Sequence, residues 1–527
     1  MSEEYGTLGK AFSFSKPLRP HSTGSPVTDT STSAPSSDEA VRLQKRNNLV
    51  IRLLLVSAFV VILNETIMGV AIPHLVIDLG ITEVAAQWLS TAFMLTMAVV
   101  IPITGFLLQR FNTRPIFIAA MSLFSIGTLI AAIAPGFEVL LAGRVVQASG
   151  TAIMMPLLMT TVMTLVPPAT RGRTMGNISI VIAVAPAIGP TISGIILSTL
   201  SWRWMFLLVL PIAIGSLVLG FLRVQNVTEP RKVPIDVLSV IISAIGFGGF
   251  VFGLSNIGGA GATFVSSWLP MLVGIVALAV FVLRQISLQQ KDRALLDLRT
   301  FRSRTFTVGV LLLAVSMMAL FGTIIVLPFF LQNVLQLDAL ATGLLLLPGG
   351  IVMGVLAPFV GRAYDRVGPR PLVIPGAIIV SAVLWGLTML GPDTPVWWVL
   401  GAHVVLSVGL ALMFTPLFTS ALGSLRPRLY SHGSATIGTV QQLAGAAGTA
   451  LFVSVMAGVG ASTAAAGGTS LAASASGIQA AFLCGAVISL FGVLAAFFVR
   501  RPPELSAADA KLVESEGGEA ADVPFAH

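Results

Sequence analysis

Cysteine and charged residues are scarce in this chain of 527 residues. Cys484 is the only cysteine, so the chain can form neither an intramolecular disulfide nor a cysteine cluster for a metal. Charged residues make up 10% of the sequence, far below the roughly 25% of soluble domains. Together with a hydrophobic content of 55%, this shortage excludes a soluble globular protein.

Nucleotide-binding and metal-ligand motifs are missing as well. No Gly-x-x-x-x-Gly-Lys-Ser/Thr phosphate loop occurs, which argues against direct use of ATP. The five histidines are scattered without ligand spacing, so neither a metal site nor a membrane metalloenzyme is expected. The net charge of +8 comes from short loops and not from a contiguous basic face, so we expect no nucleic-acid partner. The sequence therefore predicts neither an enzyme nor a cofactor.

Long apolar runs are the main feature that is present. A helix needs about 20 apolar residues to cross the hydrocarbon of a bilayer, and fourteen runs of suitable length lie between Val50 and Val499. Six precede the middle of the chain, two form it and six follow. The pattern predicts an all-α integral membrane protein with two six-helix bundles and two extra central transmembrane helices.

Polar segments flank these runs and divide the chain. The first residues are rich in Ser, Thr and Pro and the last ones are acidic, so both tails are expected to be disordered. The predicted units are a disordered cytosolic tail (1–47), an N-terminal six-helix bundle (48–222), two inserted transmembrane helices (223–290), a basic cytosolic linker (291–304), a C-terminal six-helix bundle (305–500) and a disordered acidic cytosolic tail (501–527).

Basic residues lie on one side of the predicted membrane. With both termini placed in the cytosol, every cytosolic loop carries at least two Lys or Arg residues, whereas the outer loops carry only Arg203. The positive-inside rule therefore favours a multi-pass protein with both termini in the cytosol.

A charged tract occurs twice, each time after the second span of a six-span set. Gly105-Phe-Leu-Leu-Gln-Arg-Phe-Asn-Thr-Arg-Pro115 is matched by Gly361-Arg-Ala-Tyr-Asp-Arg-Val-Gly-Pro-Arg-Pro371. Each copy fits a short hinge between two spanning helices on the basic side. Internal repeats are typical of secondary transporters, so the tract predicts transport by two related halves.

The two tracts resemble the loop motif of the major facilitator superfamily, and the chain is similar to its fourteen-span drug:proton antiporter branch from Arg46 to Arg501. The resemblance implies a latch that holds one conformation. The first copy departs from the family pattern with Gln109 and Asn112, where Asp and Gly are usual, and predicts the weaker latch. A role in topology alone is the alternative. The latch residues implied are Gly105, Arg110, Arg114, Gly361, Asp365, Arg366 and Arg370.

Three spans carry further motifs of that branch. Asn64-Glu65-Thr66 is similar to the first-span motif, but the acid stands one residue late, about 100° around a helix. Arg144-Val-Val-Gln147 resembles the fourth-span motif that is associated with proton coupling. The fifth-span segment Ala185–Gly194 is similar to the motif held to mark exporters, and ordinary helix packing is the alternative. Its motif residues are Pro186, Gly189, Pro190 and Gly194.

Glu65 and Arg144 are the clearest ionisable residues inside predicted spans, where a charge is costly and therefore a functional candidate. Counted from the span ends, both lie about 10 to 12 Å below the outer surface. Our hypothesis is that Glu65 exchanges a proton and that Arg144 tunes this exchange. Asn64, Gln147, Gln441 and Gln442 are predicted to line the substrate cavity, with packing as the alternative for the last two.

The resemblance implies a proton-coupled multidrug efflux antiporter in a bacterial cytoplasmic membrane, driven by the proton gradient and able to confer antibiotic resistance. Expected partners are the lipid bilayer, H⁺ and amphipathic small molecules, with cations as one candidate class. A monomer is expected to suffice. Export of a metabolite such as an amino acid or peptide is one alternative, and a transporter-like receptor without transport is another. Na⁺ in place of H⁺, the substrate and the role of the two extra helices stay open.

Overall fold

The structure is a computed structural model, and it describes residues 37–226, 234–256 and 268–501. Fourteen long helices lie in these ranges, and each is long and apolar enough to span a membrane, which confirms the predicted all-α fold. They are α1 (Ser37–Leu79), α2 (Glu83–Arg110), α3 (Thr113–Ala132), α4 (Phe137–Leu165), α5 (Arg171–Thr199), α6 (Arg203–Arg223), α7 (Val237–Asn256), α8 (Leu269–Gln289), α9 (Arg304–Phe329), α10 (Ala339–Val367), α11 (Arg370–Leu387), α12 (Val396–Gly423), α13 (Tyr430–Ala465) and α14 (Ser470–Ala496).

Short polar residues set the ends of several helices. The Asp338 carboxylate accepts a hydrogen bond from the backbone N–H of Ala341 at the start of α10, and Ser303 caps α9 through Phe306 in the same way. At the other end of α10, Gly368 has φ +80°, a conformation that favours glycine and stops the helix. Helices α9 and α10 therefore begin, and α10 also ends, at residues that the local sequence defines.

The two six-helix sets repeat the same helix pairings. In the first set α3 packs on α4 and α6, and α2 packs on α4. In the second set α11 packs on α12 and α14, and α10 packs on α12. We call these sets the N-half (α1–α6) and the C-half (α9–α14). The recurrence eight helices later is the structural counterpart of the duplicated tract.

Two long seams join the halves, one between α5 and α10 and the other between α2 and α13. We define the terminal face as the face at which α14 ends and at which the loops after α2, α4, α8, α10 and α12 lie. Two hydroxyl pairs cross between the halves, Thr160 with Ser434 at 2.7 Å and Thr415 with Ser179 at 2.8 Å. All four residues are buried, so the halves are also in contact through α4 with α13 and through α5 with α12 in this conformation.

The inserted helices α7 and α8 pack on each other and, through α7, on α2 and α13. Glycines permit this pairing, because a methyl group at Gly249 would lie 2.9 Å from the carbonyl oxygen of Pro270. The outer side of α8 carries exposed large apolar residues, including Val276 and Leu283, as expected of a lipid-facing helix. The hairpin therefore lies along the α2–α13 seam.

One predicted boundary needs correction, and the predicted linker contains ordered structure. Helix α1 begins at Ser37, so the last part of the predicted disordered tail (1–47) is helical, because its residues 39–46 are mostly good helix formers. The predicted basic linker (291–304) contains a buried stretch, Ala294–Asp297, and a short 3₁₀ helix, Leu298–Arg302. The predictions for residues 1–36 and 502–527 lie outside the described residues.

Candidate functional site

Close packing of α3 on α4 creates a buried polar site. A methyl group at Gly127 would lie 2.7 Å from the Cα atom of Gln147, and one at Gly143 would lie 2.9 Å from the backbone nitrogen of Ala131. The two backbones are therefore nearly in contact. As a result, Arg144 and Gln147 on α4 are only 1% and 0% exposed.

A chain of hydrogen bonds through these residues connects α1, α4 and α3. The Nη1 group of Arg144 donates to Oε1 of Gln147 at 2.7 Å and to Oδ1 of Asn64 at 3.3 Å. The Nε2 group of Gln147 donates to the hydroxyl of Thr128 at 2.7 Å, and this hydroxyl donates to the carbonyl oxygen of Phe124. Both polar atoms of the Gln147 amide thus form hydrogen bonds. Because the amide is held by Thr128, its bond to Arg144 holds the guanidinium in one orientation.

Arg144 carries a buried charge without a carboxylate in direct contact. Among the described residues, no acidic oxygen lies within 4.0 Å of its guanidinium. The ring of Phe93 on α2 covers the guanidinium, with 4.0 Å between the Cζ atom and the ring centroid. The Nε atom is buried and has no hydrogen-bond partner within the described part of the chain. Within the described part of the chain, Arg144 therefore retains an unused donor at Nε.

Glu65 lies next to this cluster and is half-buried. Its nearest opposite charge is Arg144, with which it interacts electrostatically without an ion pair. No described residue donates a hydrogen bond to its carboxylate. The displaced acid of the first-span motif has a clear consequence: Asn64, and not the carboxylate, contacts Arg144. The structure brings Glu65, Asn64, Arg144 and Gln147 together, and their functional roles stay predictions.

Helix α5 supports α1 directly beside Glu65. A methyl group at Gly189 would lie 2.9 Å from the Cβ atom of Thr66, and the Ser193 hydroxyl donates to the carbonyl oxygen of Ile67 at 3.1 Å. The Thr66 hydroxyl donates mainly to the carbonyl oxygen of Leu63, at 2.9 Å. One face of α5 thus contacts the residues that follow Glu65.

The other face of α5 contacts α10, where a methyl group at Gly350 would collide with Ala187. Among the predicted motif residues, Gly189 makes the expected close contact and Pro186 is half-buried on α5. Gly194 is exposed and has open space around it, so it makes no such contact. The side chain of Pro190 lies outside the described residues. Helix α5 therefore connects the Glu65 region with the C-half.

The predicted cavity residues are divided between two places. Asn64 and Gln147 belong to the Arg144 cluster, where Gln147 is fully buried between α3 and α4 and does not line an open space in this conformation. Gln441 and Gln442 lie on α13 and are half-buried. No hydrogen bond between either amide and a described residue is found. Their amides are thus unused by the part of the fold that the structure describes.

The second copy of the charged tract makes a direct contact between the halves. The carboxylate of Asp365 accepts hydrogen bonds from the backbone N–H groups of Gly172 and Arg173, each at 2.8 Å. These groups are at the first turn of α5, where backbone donors are otherwise unpaired. Gly361 allows the approach, because a methyl group added at this position would collide with the backbone of Gly172. Arg366 and Arg370 are exposed beside this contact.

The first copy makes a different contact. Nε2 of Gln109 donates to the carbonyl oxygen of Arg428, just before α13, at 3.1 Å. A methyl group at Gly105 would lie 3.2 Å from the Cβ atom of Ala435. Arg114 stays within the N-half, where it donates to the carbonyl oxygen of Phe221 at 2.8 Å. Arg110 is exposed at the end of α2.

Sequence reasoning did not identify three contributors to these sites. Phe93 and Thr128 lie in apolar runs and carry no ionisable group that could have marked them. In the sequence, Arg171 is one of the basic residues of the predicted cytosolic loops. It donates to the carbonyl oxygens of Val166 and Met163 at 3.0 and 2.8 Å, and it lies over the ring of Tyr430 in the C-half. Its position at a helix junction was the one available signal.

Comparisons with known proteins agree with this architecture. The sequence model of the Major Facilitator Superfamily matches residues 54–449. The lincomycin resistance protein LmrB of Listeria monocytogenes is 41% identical over 452 residues, covering 85% of this chain and 95% of that protein. LmrB of Bacillus subtilis is 39% identical over 456 residues, with coverage of 85% and 95%.

More distant proteins show the same fold or family. A multidrug resistance protein B homolog of Mycobacterium tuberculosis is 29% identical over 391 residues, covering 73% of this chain and 72% of that protein. The crystal structure of the human organic anion transporter MFSD10 matches with a TM-score of 0.59 at 15% identity, over 86% of this chain and 99% of that one. Among the described residues, fourteen helices are long and apolar enough to span a membrane, and twelve of them form two related halves. Together with a family match across most of the chain, this makes the multi-pass membrane protein a member of the Major Facilitator Superfamily of transporters.

Proposed function

We propose that this protein exports amphipathic small molecules in exchange for protons, by alternating access of its two halves. The observation that carries the proposal is the pair of Glu65 and Arg144. A half-buried carboxylate without a hydrogen bond to the described residues lies near a buried guanidinium that has an unused donor. Ionisable groups at membrane depth are costly and typically belong to ion or proton pathways.

In the proposed cycle, the Glu65 carboxylate takes up a proton from the side of high proton concentration and releases it on the other side. Arg144 is held by Asn64, Gln147 and Phe93, and so presents a fixed positive charge near this carboxylate. The charge favours release of the proton, because it stabilises the ionised carboxylate. Substrate and proton then compete for the Glu65 site.

The contacts of α5 support a route from this site to the motion of the halves. Gly189 and Ser193 contact α1 just after Glu65, whereas Ala187 contacts α10 of the C-half. A shift of α1 would therefore displace α5 and change its contacts with α10. Rigid-body rocking of one half against the other is the usual form of alternating access.

The substrate class is proposed from the relatives and from the chemistry of the site. Relatives are named for lincomycin or multidrug resistance. A carboxylate at membrane depth suits an amphipathic molecule, and cations are the class that would compete most directly with a proton. Lincomycin and a panel of lipophilic cations are therefore the first probes. The proposed location is the bacterial cytoplasmic membrane, with both termini in the cytosol and a monomer as the working unit.

The test uses everted membrane vesicles without ATP, loaded with an inside-acid pH gradient. We expect lincomycin or a lipophilic cation to release protons in vesicles with the wild type, and Glu65→Gln to abolish the release. Glu138→Gln, which removes an exposed carboxylate at the start of α4, is the matched control and should keep it. A sodium gradient imposed in place of the proton gradient separates the two ions.

Two outcomes would overturn the proposal. Full proton release by Glu65→Gln would remove this carboxylate from the coupling mechanism. No release with any probe, from correctly inserted protein, would favour an exporter of a metabolite such as an amino acid or peptide. If such metabolites are not transported either, the result would favour a receptor that binds a ligand without transporting it.

A further inference from the structure

The loop between α8 and α9 is buried at its centre, although its sequence is basic. Leu295 and Leu296 are 1% and 4% exposed. They belong to one apolar cluster with Phe106 of α2 and Ala435 of α13, which are the two helices of the α2–α13 seam. The same cluster contains Phe281 of the inserted helix α8. The two leucines therefore lie where the N-half, the C-half and the inserted hairpin meet.

A single buried side chain holds these leucines in place. Gln285 of α8 is 0% exposed, and its Oε1 atom accepts hydrogen bonds from the backbone N–H groups of Leu295 and Leu296, at 2.7 and 3.3 Å. Its Nε2 group donates to the hydroxyl of Ser239 on α7, at 2.8 Å. The oxygen of this buried amide thus connects the inserted hairpin with the loop, and its nitrogen connects the two helices of the hairpin.

An ion pair joins the two helices of the hairpin next to Gln285. Arg284 donates to both carboxylate oxygens of Asp236 at 2.8 Å, and the Ser239 hydroxyl donates to the same carboxylate. The hydrogen bond from Arg284 holds the pKa of Asp236 at about 2, so the pair stays ionised at neutral pH. The anchor of the loop is therefore insensitive to pH in the working range.

The loop also contacts the C-half directly. The imidazole of His432, at the start of α13, lies against the backbone of Leu295. The same imidazole is next to Gly105 of α2. A methyl group added at Gly105 would lie 3.2 Å from the Nδ1 atom of His432. Asp297 and Arg299 of the loop are the charged groups that face it. His432 thus contacts both the loop and α2 at the terminal face.

We propose that the inserted hairpin is a brace: Gln285 fixes Leu295 and Leu296 as a wedge against the α2–α13 seam and so stabilises the conformation that is closed at the terminal face. This assigns a function to the two helices that distinguish the chain from a twelve-helix transporter. The brace requires alternating access, as the proposed function does, but neither a proton nor a particular substrate. Opening at the terminal face separates α2 from α13, and the wedge must then lose contacts with one of them.

The test measures opening at the terminal face without any transport. A Ser434→Cys probe in a Cys484→Ser background replaces a hydroxyl that is 4% exposed and bonded across the halves. Purified protein in nanodiscs is labelled with a water-soluble maleimide. Loss of the Gln285 hydrogen bonds in Gln285→Leu is expected to raise the labelling rate about tenfold.

Gln289→Leu is the matched control, because it makes the same change one turn along α8, where the amide oxygen has no partner among the described residues. It should leave the rate unchanged. Leu295→Ala removes the wedge but keeps the Gln285 amide, so it should raise the rate even if Gln285→Leu fails to fold. Unchanged labelling in Leu295→Ala, or equal labelling in the Gln285 and Gln289 variants, would overturn the brace. Since the readout needs no substrate, it stands whether or not Glu65 carries protons.

Discussion

The two copies of the charged tract end equivalent helices of the two halves, yet they bind the other half with opposite chemistry. In the second copy, the Asp365 carboxylate accepts from two backbone N–H groups at the start of α5. In the first copy, the Gln109 amide donates to one backbone carbonyl before α13. One seam therefore ends in a contact through a carboxylate and the other in a contact through an amide.

This difference indicates that the seams are unequal in strength. An anion at a helix N-terminus satisfies unpaired donors and interacts favourably with the helix dipole. Hydrogen bonds to charged groups contribute about 1.5 to 3 kcal/mol, compared with about 1 kcal/mol for neutral ones. The α2–α13 seam, which has the weaker contact, is also the one that the inserted hairpin covers. The proposed brace therefore acts on the seam whose tract makes the weaker contact.

The largest expected effect comes from the glycines of the two tracts. Gly361→Ala places a methyl group against the backbone of Gly172, which has no flexible atom to move away. Gly105→Ala meets the side chains of Ala435 and His432 at 3.2 Å and needs only a small shift. Overpacking should cost about 3 kcal/mol at Gly361 and about 1 kcal/mol at Gly105. Thermal unfolding in detergent measures both, and equal midpoints would contradict the difference between the seams.

Removal of the Asp365 carboxylate should open the α5–α10 seam. Asp365→Ala is expected to cost about 2 kcal/mol, or about thirtyfold in the ratio of closed to open protein. The readout is maleimide labelling of a Ser179→Cys probe, at a buried hydroxyl of α5 that bonds to α12. Asp393→Ala, in the exposed loop before α12, is the control. A change of less than twofold would mean that the carboxylate is not a latch.

The fold could be predicted from the sequence, because hydropathy and loop charge are properties of whole segments and do not depend on single contacts. It predicted the number of spans, the duplicated tract and the insertion of two helices in the middle, and the structure confirms the fourteen helices. It did not predict that Leu295 and Leu296 are buried. These residues come shortly after three charged ones and look like part of a solvated loop, and residues of α2, α13 and the inserted hairpin give them an apolar environment.

The candidate site was predictable as residue types but not as contacts. The sequence has the acid at position 65 and an amide at position 64, and in the structure it is Asn64 that contacts Arg144. The partners of Asp365 are backbone N–H groups 193 and 192 residues away, which no side-chain pattern reveals. Phe93 could not be identified, because any aromatic residue in a span is first of all a packing residue.

A smaller effect is expected at the first copy. Gln109→Ala removes one neutral hydrogen bond to Arg428 and should cost about 1 kcal/mol, or about fivefold in the labelling rate of the Ser434→Cys probe. Combined with Gln285→Leu, it should have a larger effect than either change alone, because both weaken the same seam. The same pair should leave the Ser179→Cys probe less affected. Equal opening of both probes would show that the seams open as one unit.

The smallest effect is expected where a motif residue makes no contact. Gly194 of α5 has open space around it, whereas Gly189, five residues earlier, lies against Thr66 of α1. Gly194→Ala should therefore leave transport and probe labelling unchanged and stabilise the helix by up to about 1 kcal/mol, because alanine is the better helix former. Gly189→Ala should displace α1 near Glu65 and reduce transport severely. Loss of transport in both variants would mean that α5 uses Gly194 in a conformation other than this one.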